Sequence, residues 1–210
     1  MDIFIFRHGQ SKADLEDRHE GRADFELTEL GQNQAEALGE WLKKHYKIEK
    51  VFGSTLKRAS ETTQIVSKAI GAEVELDETL MEWDNGLLAG LYREEAAKRF
   101  PKPPGGRKPH DTYAQTESMI NFRARAETFW SRFFHQLYGE NHSKQIGICS
   151  HGGMINMLIR SFLKLPVNQE MNFVTSDTGL HYLKITDDKR IIMYLNRQDH
   201  LIKNKFFNGC

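Results

Sequence analysis

Two histidines, two arginines and a glutamate stand where short apolar runs of this chain break off. Phe4-Ile5-Phe6 ends in Arg7-His8-Gly9-Gln10-Ser11, and far downstream a similar run ends in Cys149-Ser150-His151-Gly152-Gly153. This is the layout of buried parallel strands that deliver side chains to a sheet edge. Another apolar segment leads into Ser54-Thr55-Leu56-Lys57-Arg58, and Glu82 follows in Leu80-Met81-Glu82-Trp83. Taken singly, a histidine after a strand is most often a hydrogen-bonded, partly buried residue, and a glycine there marks a turn. Their coincidence changes the reading. Together they offer a nucleophile, two guanidinium clamps, a second imidazole and an acid, which is the set that phosphoryl transfer needs.

The elements that must position them follow from periodicity. Ile3 to Phe6 is too short for a helix and reads as a central strand. Gln10 to Phe25 is polar and aperiodic, a loop on the face of the site. Thr28 is placed to N-cap a helix running to about Tyr46, with Leu30, Ala37, Leu38, Trp41 and Leu42 on its core side. Val51 to Gly53 reads as a strand and Arg58 to Ile70 as a helix stopped by Gly71, so Arg58 sits near a helix N-terminus, where anions are favoured. Val74 and Leu76 suggest a further strand before Glu82. Thr116 to Tyr138 carries an aromatic stripe at helical spacing, Gln145 to Cys149 is a strand, and Gly152 to Leu163 is a helix apolar nearly all round. Leu180 to Ile185 and Ile191 to Leu195 form a hairpin across 186–189.

This order predicts an α/β fold, a three-layer sandwich around a mostly parallel sheet with a late hairpin. The 210 residues fit a single domain over 1–210. Four of the five prolines fall in 101–109, which rules out helix or central strand there. The stretch 83–116, with a helix from about Tyr92 to Arg99, is expected to be an insertion over the site.

Lys plus Arg and Asp plus Glu balance at 29 each, so no overall charge recruits nucleic acid or an anionic membrane. No segment approaches a membrane span and the N-terminus lacks a signal-peptide pattern, so a cytoplasmic location is the expectation. Cys149 and Cys210 make no disulfide scaffold, and Cys149 reads as core filler. None of the nine histidines shows a zinc-binding spacing, and neither a metal nor another cofactor is expected.

On these blocks the chain resembles the histidine phosphatase superfamily, the phosphoglycerate-mutase-like proteins, in its phosphatase branch. The resemblance runs from Arg7-His8-Gly9-Gln10-Ser11 through Asp24 to Gly31, Ser54 to Thr62 and Glu82 to Ser150-His151-Gly152-Gly153. It implies a phosphoglycerate-mutase-like fold in which His8 attacks phosphorus and becomes phosphohistidine. It further implies a phosphate pocket of Arg7, Arg58, His151 and the Gly152 N–H, with Glu82 as proton donor. The implied activity is metal-independent hydrolysis of small phosphorylated metabolites, with a phosphate ester as the partner and homo-oligomerisation left open. His8 must be neutral to attack, and nearby guanidiniums favour that state.

Many relatives carry Asn at the position of Asp14 and Gln at that of Glu20. Two acids in place of two amides are expected to pair with Arg18, Arg22 or Lys12, to recognise a substrate hydroxyl or amine, or to face solvent. Asp14, Glu20 and Arg22 are therefore substrate-pocket candidates. Rival functions are a phosphoglycerate mutase and a silent phosphate-binding module. The mutases resemble one another in a basic and aromatic segment after the acid, where this chain has Trp83-Asp84-Asn85-Gly86-Leu87-Leu88-Ala89-Gly90. Hydrolysis is the expectation.

Overall fold

The computed structural model describes residues 1–137, 144–167 and 171–202, so Tyr138 and Cys210 lie outside the described residues. One sheet organises it, with strands β1 (Asp2–Arg7), β2 (Lys50–Gly53), β3 (Glu73–Leu76), β4 (Gln145–Ser150), β5 (Leu180–Ile185) and β6 (Arg190–Arg197). Their order is β3-β2-β4-β1-β5-β6. The β1–β4, β2–β4 and β2–β3 pairs are parallel, whereas β5 runs antiparallel to both β1 and β6. The expected mostly parallel sheet with a late hairpin is what forms.

Strand alternation splits the core between two faces. Ile3 and Ile5 of β1, with Ile146 and Ile148 of β4, face helices α5 (Met119–Gln136) and α6 (Gly152–Phe162). Phe4 and Phe6 face helices α2 (Glu29–His45) and α3 (Lys57–Ile70). Residues between two covered faces have no solvent side, which explains the unbroken apolar run of β1. The α2 N-terminus is capped by the Thr28 hydroxyl, which accepts the Gly31 N–H at 3.0 Å. Ser118 does the same for α5 at Asn121, and α3 ends at Gly71 in the left-handed conformation.

Register then sets the site. Arg7 of β1 lies opposite Ser150 of β4, and Gly53 of β2 opposite Cys149, so the residues that follow each strand emerge together at the carboxyl edge of the sheet. Open α/β sheets bind ligands at that edge. The polar segment after β1 is more ordered than its lack of periodicity suggests. It contains a short helix, α1 (Lys12–Leu15), in a capping box made by Ser11 and Asp14. The stretch 83–116 adds helix α4 (Arg93–Arg99) and 3₁₀ turns, and it is stitched to the first loop by His19 N–H to Leu91 O (2.9 Å) and Gly90 N–H to His19 O (2.7 Å). Arg18 seals this seam, donating to the Gly90 carbonyl and stacking over Tyr92. Among the described residues no helix is long and apolar enough to cross a membrane.

The loop after β1 presses on the start of α2 so closely that a Cβ at Gly9 would strike the Gly31 carbonyl, and one at Gly31 would strike that of Gln10. Gly31→Ala should destabilise the fold by about 1 to 3 kcal/mol, the usual cost of overpacking against rigid backbone. Denaturant unfolding checks this, and an unchanged midpoint would show that the loop can give way.

Candidate active site

The two histidines meet because β1 and β4 are neighbours. His8 and His151 are fully buried one residue beyond their strands, with ring centroids 5.1 Å apart, and the His8 N–H donates to the Ser150 carbonyl at 3.0 Å. His8 Nδ1 lies 2.7 Å from the Gly9 carbonyl oxygen. A carbonyl can only accept, so Nδ1 carries the proton and the lone pair sits on Nε2. Arg58 Nε donates to that Nε2 at 3.2 Å. Burial first, then the Arg7 and Arg58 guanidiniums, hold the His8 pKa well below its ordinary value, so the ring is neutral. His151 is held neutral in the same way, by burial and then by Arg58. Its Nε2 meets the Ser54 hydroxyl at 2.8 Å, while its buried Nδ1 has no partner among the described residues. Orphaned atoms of this kind are costly unless a ligand satisfies them.

Arg58, fully buried in the first turn of α3, also donates to the carbonyls of Ala23 (3.0 Å) and Gly21 (2.8 Å). Thr62, one turn later, accepts the Gly9 N–H at 3.1 Å, so α3 clamps the histidine loop as well as the guanidinium. Arg7 is bracketed by Asp14 at 3.4 Å and Asp177 at 3.2 Å. Burial works to lower the Arg7 pKa, but Asp177, Asp14, Glu20 and Glu82 outweigh it and the net shift is upward. Glu82 reaches the same edge, its two oxygens accepting the Gly153 N–H (2.8 Å) and the Trp83 N–H (2.7 Å).

The structure thus gathers Arg7, His8, Glu20, Arg58, Glu82, His151 and the start of α6 at Gly152 around one edge. Arg22 does not join them. It pairs with Asp84 at 3.4 Å and does not line the cleft. The expected partners of the two acids also differ. Lys12 pairs with Glu26, Arg18 with Glu16 and Arg22 with Asp84, so none is available. Asp14 instead caps α1 and pairs with Arg7, and Glu20 pairs with Arg58 at 3.2 Å. The Ser11 hydroxyl lies between both acids, 3.0 Å from an Asp14 oxygen and 2.5 Å from a Glu20 oxygen, and its single proton serves one of them at a time.

Two supporting residues carry no signal in the sequence. Arg125 lies on the polar side of the α5 aromatic stripe, yet its guanidinium binds Glu117 through two bonds and the carbonyls of Thr79, Met81 and Glu82. It fixes the backbone that carries Glu82. Asp177 belongs to an aperiodic stretch before β5 and orients Arg7, whose Nη1 also donates to the Thr175 carbonyl. Beyond Glu82 opens a cleft of about 450 Å³ whose lining includes Trp83, Met119, Phe122 and Met157.

Comparison with known proteins identifies the family of this chain. The family model of the histidine phosphatase superfamily (branch 1) matches residues 3–198. Phosphoglycerate mutase-like protein 4 of Arabidopsis thaliana is 34% identical over 163 residues, 75% of this chain and 69% of that protein. A 2,3-bisphosphoglycerate-dependent phosphoglycerate mutase of Mesorhizobium japonicum is 30% identical, covering 75% and 79%. The solved structure of a mycobacterial glucosyl-3-phosphoglycerate phosphatase superposes with a TM-score of 0.77 at 24% identity, over 93% of this chain and 98% of that one. The chain belongs to the histidine phosphatase superfamily.

Buried histidines give the fold a pH signature. His181 and His200, which bond Thr175 and Thr178 beneath the site, are pushed down by burial to about 4. Their folded pKa values lie below the unfolded value of about 6.5, as do those of His8 and His151, so between pH 6.5 and 4 the unfolded chain takes up protons that the native chain refuses. Stability is full above that window and falls through it, by about 1.4 kcal/mol per pH unit for each such histidine. Urea midpoints at pH 7.5 and 5 should differ accordingly, and His200→Gln should flatten the fall. A midpoint independent of pH would contradict buried neutral rings.

Proposed function

We propose that this histidine phosphatase hydrolyses small phosphate monoesters in the cytoplasm, without a metal, by way of phosphohistidine at His8, and that 1–210 is one catalytic domain whose 83–116 insertion walls the site. The observation that carries this is the His8 tautomer, since the Gly9 carbonyl leaves the Nε2 lone pair facing Arg58 in a neutral, buried ring. A phosphorus near Nε2 meets a nucleophile already aligned. The Arg7 and Arg58 guanidiniums, the unpartnered His151 Nδ1–H and the Gly152 N–H stabilise the equatorial oxygens as charge builds. The Ser54 hydroxyl is able to donate to His151 Nε2, and that arrangement puts the ring proton on Nδ1, as donation to phosphate requires.

In the first step the Nε2–P bond forms while the P–O bond to the alcohol breaks, and Glu82 gives its proton to the departing oxygen. In the second, the Glu82 carboxylate takes a proton from water, which attacks phosphorus and releases inorganic phosphate and free His8. A mutase would need cations beside the scissile group for the second charged group of its substrate. Here that wall is Trp83, Met119 and Phe122, and the arginines reaching the cleft are engaged elsewhere, Arg93 with Asp17 and Arg160 with the carbonyls of Pro166 and Val167. Hydrolysis fits that lining better.

Rapid quenching should trap acid-labile, base-stable phosphate on the wild type and none on His8→Ala, whereas full turnover by His8→Ala would sink the mechanism. Glu82→Gln should cost about two to four orders of magnitude with alkyl phosphates and less with nitrophenyl phosphate, whose leaving group needs little protonation. Equal losses on both would remove Glu82 from the acid role. Given 2,3-bisphosphoglycerate and 3-phosphoglycerate, the enzyme should form no 2-phosphoglycerate, and its formation would instead reveal a mutase.

A further inference from the structure

A pocket that takes a phosphate dianion should be rich in uncompensated positive charge, and this one is not. Its two guanidiniums face four carboxylates, Arg7 being flanked by Asp14 and Asp177, Arg58 by Glu20, and Glu82 resting on backbone N–H groups. Both imidazoles are neutral and add nothing. Three of these acids have fixed work: Asp14 caps α1, Asp177 orients Arg7 and Glu82 is the proposed proton donor. Glu20 does not. Apart from the Ser11 hydroxyl, its contacts among the described residues are with the proposed reacting groups themselves, Arg58 at 3.2 Å and His8 Nε2 at 4.0 Å.

We propose that Glu20 determines specificity, selecting phosphomonoesters of small amino alcohols, whose ammonium group lies a few bonds from the phosphate. This rests on the phosphatase reading above. A phosphorus poised for attack sits roughly 3 to 3.5 Å from the nucleophile, so the Glu20 carboxylate stands at the edge of the phosphate seat and has to turn aside when an ester enters. Glu20 lines the cleft together with Glu82 and Trp83, so the side open to it is that of the leaving group. A cleft lined by both a carboxylate and an indole is a fitting environment for an ammonium, through a charge-assisted hydrogen bond and the face of the ring. The same carboxylate repels an ester that brings only the dianion. One residue therefore both attracts the charged alcohol and discriminates against neutral ones.

The test compares 2-aminoethyl phosphate with propyl phosphate, which differ by an ammonium in place of a methyl, and uses 4-nitrophenyl phosphate as reference. Wild type should favour the ammonium ester in kcat/KM by on the order of tenfold to a hundredfold, the range of one charge-assisted hydrogen bond. In Glu20→Gln the ammonium ester should fall and propyl phosphate should rise. Opposite signs cannot come from a general loss of structure. Equal use of the two esters by a wild type that hydrolyses all three would overturn the assignment while leaving the phosphatase reading intact. So would a common loss or gain on both esters in Glu20→Gln. Hydrolysis of none of the three by wild type would overturn the phosphatase reading, and the assignment with it.

Discussion

The hydrogen bond from His8 Nδ1 to the Gly9 carbonyl decides which nitrogen can react, and the rest of the site depends on it. It is a bond between neighbouring residues, so it holds only while the turn after β1 keeps its shape. The Gly9 N–H bonds Thr62, the Gly9 and Gly31 backbones touch, and the Gln10 N–H and carbonyl are held by Gln34 and Thr28. Helices α2 and α3 thereby fix His8 from one face of the sheet. From the other face, Ser150 at the end of β4 donates to the Leu80 carbonyl and Arg125 on α5 grips the segment that follows, which fixes Glu82. The sheet edge is where the two halves of the chemistry meet.

Charge is the second constraint. Unit charges about 4 Å apart interact by roughly 4 kcal/mol at an intermediate effective dielectric, so the crowding of carboxylates near the phosphate seat is energetically consequential. It is tolerated because the guanidiniums sit between the acids. The crowding still shows in Asp177, where burial raises the pKa, Arg7 opposes the rise, and Asp14 and Glu20 add to it. Arg58 carries the complementary mark, its pKa lowered by burial despite the Glu20 and Glu82 carboxylates. The arginines thus hold the pocket together, and under the proposed function they also receive the anion.

Much of this was legible in the sequence because it rests on local pattern. The apolar runs Ile3 to Phe6 and Ile146 to Cys149 show two-sided burial directly, and Thr28, Gly71 and the aromatic stripe of α5 mark helix ends and faces within a residue or a few. The histidines could be brought together from their place at strand ends alone. What escaped was partner choice. Arg18, Arg22 and Lys12 are close to Asp14 and Glu20 in sequence, yet the antiparallel contact of Arg18 with Tyr92 and the pairing of Arg22 with Asp84 draw the two arginines to the 83–116 stretch, and Lys12 pairs with Glu26. Arg125 and Asp177 act across long separations, and neither periodicity nor composition distinguishes them from solvated surface charges.

The tautomer makes a demand that a single spectrum can meet. Phosphoenzyme prepared with ¹⁵N-histidine, quenched in base and examined by ¹⁵N and ³¹P NMR, should show phosphorus coupled to Nε2 of His8, with Nδ1 unsubstituted. Coupling to Nδ1 would mean that the Gly9 carbonyl does not hold the ring during turnover, and would contradict the assignment of the nucleophile's lone pair.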